Sequence, residues 1–146
     1  AIPGATADAV RSLVGRPGLY ESISPRRDAD LPAVRKKGVG MTESEVLALV
    51  TAAFPPEWVG WAVRVSHCES TWRPWAVSEG YDRVFGHYRH VGLFQVEATV
   101  WHWLAENVAR ALRKQVADLF DPETNAHVAA GILRIQGVSA WPWCGR

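Results

Sequence analysis

All eight tryptophans of this 146-residue chain lie beyond residue 40, whereas the first forty residues hold four of its nine prolines and five of its twelve glycines. That division constrains the fold more than any other feature. Proline removes a backbone donor and glycine costs conformational entropy, so a segment rich in both resists regular structure. Large flat indoles, by contrast, need either a packed core or a ring to lie against. The spacing therefore predicts an arm or linker over 1–40 and one folded domain over 41–146, with the change at Gly38-Val39-Gly40. The arm has seven basic against four acidic residues, the domain nine against eleven. We expect the arm to wrap a surface, of its own domain or of a larger assembly, with a short helix over 6–14. The chain begins at Ala1 without a secretion-signal pattern, which reads as a processed or excised segment.

A size of 16.1 kDa and 48% hydrophobic residues suffice for one sizeable core. The longest uncharged apolar run, 46–54, is half of the roughly 18 residues that cross a bilayer, so no membrane span is expected. Sixteen basic and fifteen acidic residues give +1, too even a balance for a nucleic-acid binder.

Helical signals dominate the domain. Thr42-Glu43-Ser44-Glu45 has capping-box spacing and leads into Val46, Leu47, Leu49, Val50 and Phe54, a helix over 43–54 that Pro55-Pro56 ends. Pro56 can open a second helix, along which Trp58, Ala62, Val65 and Glu69 form a stripe. From 71 to 90 no period holds, which predicts loop with at most a short hairpin. A third helix over 97–112 is expected to bury Val100, Trp101, Leu104, Val108 and Leu112. Asp121-Pro122-Glu123 opens a fourth, with Asp121 as capping oxygen, small residues Ala126, Ala129 and Ala130 on its face, and Gly137 as a left-handed stop.

Glu69 is the first candidate for chemistry. A carboxyl that ends an apolar stripe is costly to ionise, keeps its proton towards neutrality and suits a general acid for glycosidic bond cleavage. Cys68 and Cys144 either close one long loop as a disulfide or stay as reduced core thiols; the tail's lack of another anchor favours the disulfide. His67, Cys68, His87, His90 and Cys144 are zinc-ligand types, but no close Cys pair accompanies them and the region reads as loop, so no metal site is expected. No Gly-x-Ser-x-Gly elbow marks a serine nucleophile.

Cys68-Glu69-Ser70-Thr71-Trp72-Arg73-Pro74-Trp75-Ala76-Val77-Ser78, then Gly92-Leu93-Phe94-Gln95-Val96, then Asp118-Leu119-Phe120-Asp121-Pro122-Glu123-Thr124-Asn125 with Ala130-Gly131, resembles the soluble lytic transglycosylase domains, relatives of goose-type lysozyme. The resemblance covers about 43–144. It implies a mainly α, lysozyme-like α+β fold with a saccharide groove, a small loop or β element around 71–92, and cleavage of the β-1,4 bond between N-acetylmuramic acid and N-acetylglucosamine without a cofactor. The partner would be the glycan strands of peptidoglycan, and the place of action extracytoplasmic, secreted or periplasmic, or on a virion. Matched residue by residue, Glu69 takes the place of the catalytic acid and Ser78 and Gln95 those of substrate-binding residues.

Two departures stand out. The segment 79–91 is an insert relative to the family pattern; as a groove wall it would bring Tyr81, Phe85 or Tyr88 to the sugar and Asp82 or Glu79 towards Glu69. The family's Ala-Tyr-Asn-Ala-Gly is missing near the end, where Trp141 or Trp143 can substitute for its groove tyrosine. Hydrolysis by two carboxylates would need a second acid about 5–9.5 Å from the first. A transglycosylase needs none, because the N-acetyl group assists and the C6 hydroxyl closes a 1,6-anhydro ring. A third reading is a structural, wall-contacting module of a phage tail or secretion assembly.

Overall fold

Helix α1, Glu43–Ala53, begins where the capping box places it: Thr42 Oγ1 accepts from the Glu45 N–H at 3.2 Å and Glu45 Oε1 from the Thr42 N–H at 2.9 Å. The computed structural model describes residues 39–146, so the arm, its helix over 6–14 and its packing lie outside the described residues. Val46, Val50 and Ala53 of α1 are buried, and Leu47, expected in the stripe, is 46% exposed. After Pro55, Pro56 opens a 3-10 turn, Pro56–Trp58, that feeds α2, Val59–Ser70. This helix buries Trp61, Ala62, Val65, Ser66 and Ser70, so its inner face is turned slightly from the expected stripe and Glu69 falls on the rim.

The aperiodic stretch holds a hairpin, β1 (Val77–Asp82) and β2 (His87–Val91), and a two-residue β3 (Val96–Glu97) pairs with the other edge of β2. Both pairings are antiparallel. No residue of β1 is fully buried, and its ladder shifts register between Ser78 and Tyr81, with Glu79 at φ 63°. Period-two patterning comes from one buried face, and this strand has none.

Helix α3, Ala98–Ala111, buries Leu104, Ala105, Val108 and Ala109 but leaves the expected core residue Val100 48% exposed. Helix α4, Pro122–Gln136, is nearly all inside; α1, α3, β3 and a final 3-10 turn, Gly137–Ala140, all pack on it. Its small face lets them approach closely. Asp121 does not cap it as expected, because Asp121 Oδ2 accepts from Thr124 Oγ1 at 2.8 Å and pairs with Lys114 Nζ at 2.6 Å. Gly137 does end α4 at positive φ, but with φ 78° and ψ −168° it lies outside the left-handed helical region. Among the described residues, four α-helices around a small sheet make this a mainly α, α+β domain, as the resemblance implies. Among the described residues no helix is long and apolar enough to cross a membrane.

The tail is fastened to the domain by a covalent bond and by hydrogen bonds. Cys144 forms a disulfide with Cys68 across a Cα separation of 5.7 Å. Trp61 Nε1 donates to the Gly145 carbonyl at 3.0 Å, and Trp141 Nε1 donates to the Phe94 carbonyl at 2.9 Å.

Candidate active site

Glu69 sits in the last turn of α2, partly buried, and among the described residues nothing hydrogen-bonds or ion-pairs with its carboxylate. Burial raises its pKa above the ordinary 4.5, because the charged form loses hydration without gaining a partner. The turn around it is held firmly. Ser70 Oγ donates to the Ser66 carbonyl at 3.0 Å, Arg73 Nε to the Ser70 carbonyl at 2.8 Å, and Trp72 Nε1 to Ser66 Oγ at 3.2 Å. Cys68, one residue before, carries the disulfide to the tail. Thr71 and Trp72 follow at φ 52° and 58°, a left-handed pair that costs non-glycine residues energy and turns the chain sharply away from α2.

The chain leaving this turn is tied to Gln95. Gln95 Nε2 donates to the carbonyls of Ala76 at 2.9 Å and Gly92 at 3.0 Å, while the Gly92 N–H donates to the same Ala76 carbonyl at 2.8 Å. Both amide protons are thereby used, leaving Oε1 as the acceptor available to a ligand. Gly92 has φ 80°, and a Cβ there would fall 2.3 Å from Asn125 Nδ2 and 2.4 Å from the Leu119 carbonyl. Only glycine fits. Asn125, fully buried in α4, fixes this turn: its Oδ1 accepts from the Phe94 N–H at 2.8 Å, and its Nδ2 donates to the carbonyls of Val91 and Leu119, each at 2.9 Å.

Gln95 opens onto a cleft of about 90 Å³, bordered by His90, Glu97, Trp101, Gln136 and Trp141 as well. Trp141 contributes little surface to it: it is 3% exposed, set edge-on against Trp61 at 5.3 Å, and is foremost a core residue. Trp143 is 78% exposed, with the Arg146 guanidinium over its ring. Ser78 is exposed on β1, directly opposite His90. Tyr81, 49% exposed, stands farther out on the hairpin, edge-on to Tyr88 at 5.4 Å, and does not border the cleft.

Both candidate second acids are engaged elsewhere. Asp82 Oδ1 accepts from the N–H groups of Val84 at 2.8 Å and Phe85 at 3.1 Å, pinning the hairpin turn. Glu79 faces β2, 3.4 Å from both Arg89 Nη1 and His90 Nδ1. The disulfide removes Cys68 and Cys144 from any ligand set, and among the described residues no three His, Cys, Asp or Glu side chains converge on a metal position.

Asn125 and the cleft residues Glu97, Trp101 and Gln136 had no functional role in the sequence reading. An Asn inside an otherwise small, apolar helix face was the available signal for the first; the other three are brought together only by the tertiary fold.

A family model, that of the transglycosylase SLT domain, matches residues 58–137. No curated protein and no solved structure matches the chain. The matched span runs from the turn before α2 to the glycine that ends α4, taking in Glu69, the hairpin, the Gln95 turn and Asn125. With more than half of its length inside that match, the chain belongs to the transglycosylase SLT domain family, whose members are lytic transglycosylases acting on peptidoglycan outside the cytoplasm.

Proposed function

We propose that Glu69 is the single general acid and base of a lytic transglycosylase that cleaves the β-1,4 bond between N-acetylmuramic acid and N-acetylglucosamine. The observation that carries this reading is the contrast among carboxylates. Glu69 is partly buried, unpaired among the described residues and biased towards its protonated form, whereas Asp82 and Glu79 are committed to a turn and to ion pairs. In the first step Glu69 gives its proton to the leaving glycosidic oxygen as the C1–O bond breaks, with the N-acetyl carbonyl bonding to C1. In the second the C6 hydroxyl bonds to C1, displaces that carbonyl and returns its proton to Glu69, closing the 1,6-anhydro ring.

The Ser78 hydroxyl and Gln95 Oε1 hold the sugar, Tyr81 offers a stacking face on the outer hairpin, and Trp141 serves the cleft as floor rather than as a contact. The basic segment 1–40 is a separate arm that embeds the domain in a larger assembly, such as a phage tail or secretion apparatus.

Digestion of purified sacculi followed by mass spectrometry tests the reading. Anhydro-muropeptides from the wild type and none from Glu69→Gln are the expected result. Reducing ends would indicate a two-carboxylate hydrolase, and sacculi left intact by the wild type would indicate a structural module; either overturns the proposal.

A further inference from the structure

We infer that His90 is a saccharide-binding residue of the cleft, its ring aimed by Glu79 and flanked across the sheet by Ser78 and Glu97. The inference rests on the reading that the cleft takes the glycan. Strand β2 is the middle strand, and His90 is paired with Ser78 on β1 and with Glu97 on β3. Residues directly opposite in antiparallel strands project to the same face, so a hydroxyl, an imidazole and a carboxylate form one row across all three strands. His90 and Glu97 of that row border the cleft beside Gln95, Gln136 and Trp101. Planar polar groups next to an indole match a pyranose ring, which has hydroxyls around its edge and an apolar face.

The ring of His90 is set for this task. Its Nδ1 is buried and makes no aligned hydrogen bond, lying 3.4 Å from Glu79 Oε1, while the side chain as a whole is 27% exposed. The polar atom left at the surface is therefore Nε2. Nε2 is thus the ring nitrogen open to a sugar hydroxyl, as an acceptor in the neutral ring or as a donor. Glu79 reaches Nδ1 only because of the register shift after Ser78: in an unbroken strand consecutive side chains face opposite ways, whereas here Ser78 and Glu79 both meet His90. Arg89 braces the arrangement, 3.4 Å from Glu79 and 3.3 Å from Glu97. Glu79, Arg89 and His90 lie within the insert and Ser78 at its border, so the insert supplies a sugar contact rather than a second acid.

The test uses the whole chain carrying Glu69→Gln, so that the probe, a soluble N-acetylglucosamine oligomer, is not cleaved. Titration should move the imidazole nitrogen resonance of His90 Nε2, resolvable among five histidines. Adding His90→Ala should weaken Kd about fivefold, the loss of one hydrogen bond, with an unchanged unfolding midpoint. His90→Gln, which keeps a planar acceptor and the strand, should stay within about twofold of the parent. A stationary His90 resonance, or a Kd change under about twofold in a folded His90→Ala protein, overturns the inference. Failure of the Glu69 reading looks different: Glu69→Gln would still cleave sacculi, whatever His90 does.

Discussion

Asn125 offers the sharpest quantitative test, because it makes three hydrogen bonds at a fully buried position and with them joins two segments, the 91–94 turn and the chain at Leu119. Asn125→Ala removes one acceptor and two donors. At about 1 kcal/mol net per bond, with further cost for any backbone group left dry, the loss should be about 3–4 kcal/mol. That is a large share of the roughly 5–15 kcal/mol available to a domain. Asn125→Asp is the informative partner. It keeps an acceptor for the Phe94 N–H but turns a second oxygen towards the carbonyls of Val91 and Leu119, so the folded protein should favour the protonated acid. A folded-state pKa above the unfolded value of about 3.9 means that stability is lost as pH rises through the interval between the two. Urea unfolding followed by tryptophan fluorescence should show the gap between Asn125→Asp and wild type widening from pH 4 to about pH 7, with the Asn125→Ala gap roughly constant. Because Gln95 rides on the clipped turn, both variants should also lose wall cleavage under conditions where they remain folded. A loss below about 1 kcal/mol for Asn125→Ala, or a pH-independent gap for Asn125→Asp, would refute the reasoning.

Three further outcomes are expected. The raised pKa of Glu69 makes it a stability cost that appears as pH rises above its ordinary 4.5 towards the folded value, so Glu69→Gln should unfold at higher temperature than wild type at neutral pH and lose that advantage below pH 4.5; differential scanning calorimetry at the two pH values decides it. The Cys68–Cys144 bridge spans 76 residues, so the Cys68→Ser/Cys144→Ser double variant should lose about 4.5 kcal/mol on chain-entropy grounds, measured by urea unfolding against the oxidised wild type. Asp82→Asn keeps an oxygen for the turn N–H groups and should cleave sacculi within about twofold of wild type, where removal of a general base would cost roughly 10²–10⁴-fold.

Local chemistry made much of the helical frame legible. The Thr42/Glu45 box and the Pro122 start act over three or four residues, and the helices begin where those residues put them. Legibility failed where a distant group intervened. The Asp121 carboxylate was drawn from its capping duty by Lys114, seven residues back, and by the Thr124 hydroxyl. The hairpin lacked a sequence signature because β1 has no buried face. At the site, Glu69 was visible as the end of an apolar stripe, and Gln95 through its motif. That Gln95 donates to the Ala76 carbonyl, and that Trp141 turns inward to Phe94, follow from contacts across 19 and 47 residues. His90 was seen as a histidine, but its neighbours Ser78 and Glu97 meet it only once three strands are in register.

The ties that shape the cleft are also the ones that take longest to make. Helices α1 to α4 grow from contacts within a few residues, on the microsecond scale. The bonds that join Phe94 to Asn125, Phe94 to Trp141 and Trp61 to Gly145 close loops of 31, 47 and 84 residues. Closing such loops is entropically costly and precedes any gain from the contacts they bring. The cleft therefore depends on the last residues of the chain: Trp141 borders it and is tied to Phe94, next to Gln95, so a chain interrupted before residue 141 would lack both a wall of the cleft and the bond that holds it.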